Sequence, residues 1–72
     1  MPQTRQLEIV VNGHPTSVPE GLDLEELLTY LKIDPARVAV EMNKSIVRRP
    51  SWKGTLVPDA AELEIVQFVG GG

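Results

Sequence analysis

Leu22-Asp23-Leu24-Glu25-Glu26-Leu27-Leu28-Thr29-Tyr30-Leu31-Lys32 is the stretch from which the fold follows. Leu24, Leu27, Leu28 and Leu31 recur at i, i+3, i+4 and i+7, a single apolar stripe on a helix. Asp23 stands where an N-cap belongs, and Glu26 three residues later completes a capping-box pattern. Leu22 before the cap and Leu27 at the fourth helical position fit a hydrophobic staple. Lys32 suits the negative end of the helix dipole, and Asp34-Pro35 disfavours further helix. The pattern predicts one helix over 23–32. A stripe this narrow needs an apolar sheet to bury against.

Working outward, the sequence supplies that sheet on both sides. Upstream, Leu7-Glu8-Ile9-Val10-Val11-Asn12 puts Leu7, Ile9 and Val11 on one face at the period of a strand, with Glu8 and Asn12 opposite. Asn12-Gly13 follows, the strongest short hairpin signal, since both residues tolerate the positive φ of a type I′ turn. A short second strand is expected around Thr16, Ser17 and Val18, ended by Pro19-Glu20-Gly21, with residues 1–6 frayed. Downstream, Val38-Ala39-Val40-Glu41-Met42 reads as a strand buried on its Val38, Val40 and Met42 side. Asn43-Lys44-Ser45 turns into a short extended piece at Ile46-Val47. Pro50, Gly54 and Pro58 break the stretch from Arg48 to Asp59, in which Trp52 is placed to plug an end of the core. Leu63-Glu64-Ile65-Val66-Gln67-Phe68 alternates again as a last strand.

The predicted class is therefore α+β, a mixed four- to five-stranded sheet covered by one helix. If the first and last strands pair in the middle, the arrangement is a β-grasp. Periodicity alone leaves that strand order open.

Composition narrows the chemistry. Seventy-two residues with eight Leu, nine Val and four Ile allow one small aliphatic core. Without cysteine there is no disulfide, no thiolate metal site and no thiol nucleophile. A net charge of −3 argues against phosphate-backbone binding, so no nucleic-acid partner is expected. No apolar run approaches the roughly 20 residues of a membrane span, and no leader is apparent, so a soluble cytoplasmic protein without a membrane partner is expected, a monomer when free. His14 is the single histidine, beside a turn, and Ser17, Ser45 and Ser51 lack a neighbouring base. The acidic residues show no paired acid–base pattern, so an enzyme is not expected. Arg48 and Arg49, with Lys44 and Lys53 nearby along the chain, read as a solvated loop or as part of a docking surface for an acidic partner.

The end of the chain is different. Phe68-Val69-Gly70-Gly71-Gly72 leaves the last strand as a glycine tail. The domain is read as residues 1–69 and the flexible tail as 70–72. Without Cβ atoms, glycines can thread a narrow channel and lie against another backbone. The group they deliver is the α-carboxylate of Gly72, which becomes an electrophile once it is activated. Gly70 and Gly71 would present it.

Asn12-Gly13, Val18-Pro19-Glu20-Gly21, the helical leucines, Val38-Ala39-Val40-Glu41, Asn43, Ile46-Val47, Arg49, Trp52, Glu64-Ile65-Val66 and Gly70-Gly71-Gly72 together resemble the ThiS family, the sulfur carrier proteins of thiamine biosynthesis. The spacing from Asn43 to Trp52 is the most specific part. The diglycine end is shared with the molybdopterin-synthase small subunit and ubiquitin-like proteins. The resemblance implies a β-grasp fold and no bound cofactor. It also implies a ThiF-like activating enzyme that uses ATP and magnesium to adenylate Gly72. A cysteine desulfurase would supply the sulfur that turns Gly72 into a thiocarboxylate, and a ThiG-like thiazole synthase would receive it. The alternatives are a carrier for molybdopterin or tRNA thiolation, or a β-grasp interaction module or tag. Two departures stand out. Arg48 occupies a position where the family often has Pro. Asp59-Ala60 replaces a frequent Asp-Gly, and alanine adopts positive φ less easily than glycine, so a differently built turn is expected there.

Overall fold

The computed structural model describes residues 5–68. Strands β1 (Gln6–Val11) and β2 (His14–Pro19) form an antiparallel hairpin, Leu7 opposite Val18 and Ile9 opposite Thr16. Asn12 and Gly13 take φ of 50° and 82°, the two-residue primed turn whose twist matches the strands. The hairpin is longer than expected at both ends. Arg5, placed in the frayed stretch by sequence, accepts the Glu20 N–H on its carbonyl at 2.7 Å, so order begins earlier.

Helix α1 (Leu24–Tyr30) is capped as its residues prescribe. The Asp23 carboxylate accepts the Glu26 N–H at 2.8 Å, and the Glu26 carboxylate accepts the Asp23 N–H at 2.9 Å. Its end differs from the expected 32. Leu31 is the C-cap, and Lys32 sits past it at φ 62° rather than in the last turn. Lys32 N–H bonds the Thr29 carbonyl and Ile33 N–H the Leu28 carbonyl, the paired bonds of a Schellman motif. The left-handed residue turns the chain so that Ile33 packs against the core, which outweighs its local cost of about 1 kcal/mol.

Strands β3 (Val38–Met42) and β4 (Ser45–Val47) make a second antiparallel hairpin around Asn43-Lys44, at φ 51° and 71°. Strand β5 (Glu62–Gln67) completes a five-stranded sheet ordered β2-β1-β5-β3-β4, with β1 and β5 parallel and the other pairs antiparallel. First and last strands are thus central neighbours, which makes the domain a β-grasp. Leu24, Leu27 and Leu28 are buried against the sheet with Ile9, Val40 and Leu63. Trp52, 2 % exposed, closes the core as expected, and its indole N–H donates to the Val47 carbonyl at 2.7 Å. One turn departs from expectation: Ala60 takes φ 65°. Its N–H bonds the Glu8 carbonyl on β1 at 3.0 Å and the next residue, Ala61, is buried, so the turn keeps a left-handed step without glycine.

Asp23 does more than cap. Its second carboxylate oxygen accepts the Gly54 N–H at 3.0 Å, tying the helix start to the loop after Trp52. The bond from Glu26, then that from Gly54, holds its pKa below the ordinary carboxylate value. A depressed folded-state pKa gives stability present above the unfolded pKa and lost as pH falls through the folded one. Asparagine has one acceptor oxygen, so Asp23→Asn leaves one of these two donors without an acceptor. Thermal unfolding should show D23N lower in Tm by about 5 °C at pH 7. That gap should begin to narrow once pH falls below the ordinary carboxylate pKa and go on narrowing as pH passes through the lower folded-state one.

Candidate functional site

Gly70, Gly71 and Gly72, the site residues read from sequence, lie outside the described residues, as do the bounds 1–69 and 70–72. What the structure places is their point of departure. The tail follows β5, a central strand, and the last described residue is Phe68, whose N–H donates to the Arg37 carbonyl at 2.7 Å. The chain is therefore held in register with β3 up to Phe68, two residues before the first tail glycine.

The strand that leads to the tail is fixed by two asparagines. Direct pairing of β1 with β5 covers only Val10 with Glu62 and Val11 with Leu63. Asn12 extends it: its backbone N–H bonds the Leu63 carbonyl at 2.8 Å, its Oδ1 accepts the Ile65 N–H at 2.7 Å, and its Nδ2 donates to the Ile65 carbonyl at 3.1 Å. A side-chain amide thus acts as one more strand residue. Asn43 repeats the device on the other side, its N–H bonding the Glu62 carbonyl at 2.8 Å and its Oδ1 accepting the Glu62 N–H at 2.9 Å. The sequence places Asn12 at the end of the first strand and in its turn, and Asn43 in a turn, with no bond from either side chain to the last strand. The signal for the second role was their placement directly after strands that must meet β5.

One face of the sheet carries α1; the other is open. Alternation puts Glu64, Val66 and Phe68 of β5 on the open face, beside Ala39 and Glu41 of β3 and Ile46 of β4. Ile46, Val66 and Phe68 are exposed large apolar side chains, with Ile46 at 75 %. A depression of about 160 Å3 lies among Ala39, Ile46, Val66 and the two glutamates. Glu41 and Glu64 stand directly opposite each other, an unfavourable like-charge pair. Glu8, which accepts the Ser17 hydroxyl, adds a third carboxylate on β1. No outward-facing residue of these strands is Lys or Arg. The face that borders the tail is apolar with an acidic border.

The basic residues do not form one patch. Three-residue β4 separates Lys44 at its start from Arg48 at its end, and Lys53 lies close enough to Asp23 to favour its ionised form. Arg48 and Arg49 remain together, at the mouth of a groove under Phe68. His14 is exposed at the start of β2. Among the described residues there is no group of three or more His, Asp or Glu that could hold a metal ion, and no helix is long and apolar enough to cross a membrane.

The chain is similar along nearly its whole length to proteins of one kind. The model of the ThiS family matches residues 4–72. The crystal structure of the thiamine biosynthesis protein ThiS from Geobacter metallireducens superposes with a TM-score of 0.80 at 36% identity, over 92% of this chain and 100% of that one. The uncharacterized protein ycf40 of Porphyra purpurea is 34% identical over 94% of this chain and 96% of its own length. The thiazole synthase of Magnetococcus marinus is 38% identical over 92% of this chain, which spans only 20% of that protein. A family match that runs from before β1 through the glycine tail, together with this sheet order, places the chain in the ThiS family, the β-grasp sulfur carriers of thiamine biosynthesis.

Proposed function

We propose that this protein carries sulfur on the α-carboxyl of Gly72 for the thiazole ring of thiamine. The observation that carries the reading is a central strand, held on both edges, running into Gly70-Gly71-Gly72 in a chain of the ThiS family. In the proposed cycle a ThiF-like enzyme binds ATP and magnesium. The Gly72 carboxylate attacks the α-phosphorus of ATP, pyrophosphate leaves, and an acyl-adenylate forms. A persulfide supplied through a cysteine desulfurase then attacks the acyl carbon with its outer sulfur, AMP leaves, and a thiol cleaves the resulting acyl disulfide, giving the thiocarboxylate and a disulfide. Thiazole synthase takes the sulfur in exchange for an oxygen from its substrate or from water, which restores the carboxylate. The protein is a cosubstrate consumed and regenerated in each cycle, with the site expected in the cytoplasm.

Its own residues contribute presentation. Gly70 and Gly71 keep Cβ atoms away from the reacting carbonyl, so a narrow channel in the enzyme can admit it. The open face with Ile46, Val66 and Phe68 is where these enzymes would dock, because contact there puts the start of the tail at the interface. Its carboxylates would select a partner surface bearing Lys or Arg. Thiazole synthase as the acceptor is supported by relatives of that name that hold a counterpart of this chain within a longer one.

Intact-mass measurement tests the cycle. After incubation with a ThiF-like enzyme, ATP, magnesium and a cysteine desulfurase with cysteine, the mass should rise by the difference between sulfur and oxygen. Fragmentation should place the change on Gly72, and a chain lacking Gly72 should stay unmodified. An unchanged parent mass, or sulfur elsewhere than Gly72, sinks the proposal.

A further inference from the structure

The groove under Phe68 is a second feature at the same end of the sheet. Its volume is about 330 Å3, its floor includes Val38, Val47 and Trp52, and Arg48 and Arg49 stand at its mouth. It exists because β4 is short. The bond from Phe68 N–H to the Arg37 carbonyl sets the ladder, so that Arg37, Ala39 and Glu41 direct their backbone groups to β5. Val38 therefore turns its N–H and C=O toward the line of β4. In the register of β3 with β4, where Val40 meets Val47, the residue opposite Val38 is Arg49. Arg49 has already left the strand for the 3-10 turn Arg49–Ser51. No strand among the described residues pairs with β3 at this position, which leaves one place at the sheet edge beside two arginines. Among the described residues, the single ion pair joins Arg37 and Asp34 and involves neither Arg48 nor Arg49.

These features specify a ligand: an extended peptide end, slender enough to pass small side chains, carrying a carboxylate. The geometry points to this chain's own C-terminal segment, Val69–Gly72, as the occupant. Phe68, from which it departs, lines the groove itself. From β5 across β3 to the line of β4 is two strand spacings, about 10 Å. Four extended residues span about 13 Å. The way across passes Ala36 and Ala39, which keep it low. A glycine backbone can pair with the Val38 N–H and C=O as an added strand does, and the Gly72 carboxylate then meets the Arg48 and Arg49 guanidiniums. In this docked state the carboxylate is turned away from any activating enzyme, so release precedes its chemistry. Docking requires only the free carboxylate and goes beyond the sulfur-carrier reading.

Backbone NMR of the 72-residue chain, with no enzyme, nucleotide or sulfur source present, tests it. In the parent, the amides of Gly71 and Gly72 should relax as restrained residues, with contacts to Val38. Deleting Gly70–Gly72 and substituting R48Q/R49Q should shift the same resonances, the Val38 amide and the Trp52 indole N–H. The double variant should also release the glycines to free-chain relaxation, as should high salt. The deletion removes no residue of the core, so it keeps the test intact if the double variant unfolds. Free-chain relaxation of the parent glycines overturns the proposal, as does a deletion that leaves Val38 and Trp52 unmoved. Restraint that grows with protein concentration assigns the groove to a second copy's tail and overturns docking within one chain. Loss of the docked state would leave the mass experiment on Gly72 untouched, and failure of sulfur loading would leave these resonances untouched.

Discussion

Replacing Trp52 with alanine should cost about 3–5 kcal/mol, the range for emptying a large aromatic site. A 72-residue domain has a total of only about 4–11 kcal/mol to lose. Trp52 is the largest of the fully buried side chains, and it closes the core where β4 ends and no strand continues. Little around it can collapse into the space, because Val40 and Val47 are fixed by the β3–β4 ladder and Val38 by the pairing of β3 with β5. Urea unfolding followed by circular dichroism should show W52A with a midpoint lowered by at least about a quarter relative to the parent. Trp52→Phe separates the two contributions. It keeps most of the buried ring but removes the indole N–H that donates to Val47, for a loss of about 1–2 kcal/mol. A W52A midpoint within a few tenths of a molar of the parent would show that the core does not depend on this side chain.

Asn12→Ala should be the next most damaging single change, at about 2–4 kcal/mol. The substitution strips both bonds to Ile65 and forces a Cβ-bearing residue without a local hydrogen bond to hold φ 50°. Asn12→Gly tolerates the backbone but still loses the bridge, so it should be milder by about 1 kcal/mol. Hydrogen exchange identifies the mechanism: the Ile65 amide should exchange faster in both variants, while the Val18 amide in the hairpin should follow global stability alone. An Ile65 amide as slow as in the parent would mean that the side-chain bridge contributes nothing to holding β5. The effect reaches function, since β5 carries the tail.

The elements themselves were legible because their cues are local. The spacing of Leu24, Leu27 and Leu28, the Asp23–Glu26 pair, and Asn12-Gly13 each specify a conformation within a few residues. The helix end was misplaced because Lys32 looks like a last-turn cation. Its left-handed step is imposed by Ile33 reaching the core, a contact outside the local pattern. Ala60 was misread for the same kind of reason, since a bond to the Glu8 carbonyl on a strand far away in sequence sustains its positive φ. The four basic residues looked like one feature on the chain, but their separation depends on β4 and on Asp23, which no count along the sequence contains.

The opening leucine stripe and the terminal glycines follow from composition and periodicity: one helix that must cover one sheet face, and a tail free of side chains. Hydrophobic period and turn chemistry act over a handful of residues, so the sequence by itself determined these. The pairing of β1 with β5, the asparagine bridges that lengthen it, the open acidic-bordered face and the groove beside Val38 were decided by tertiary structure alone. Each joins backbone groups far apart in the chain, and such pairings are selected by how the whole sheet buries its apolar face, not by any local preference.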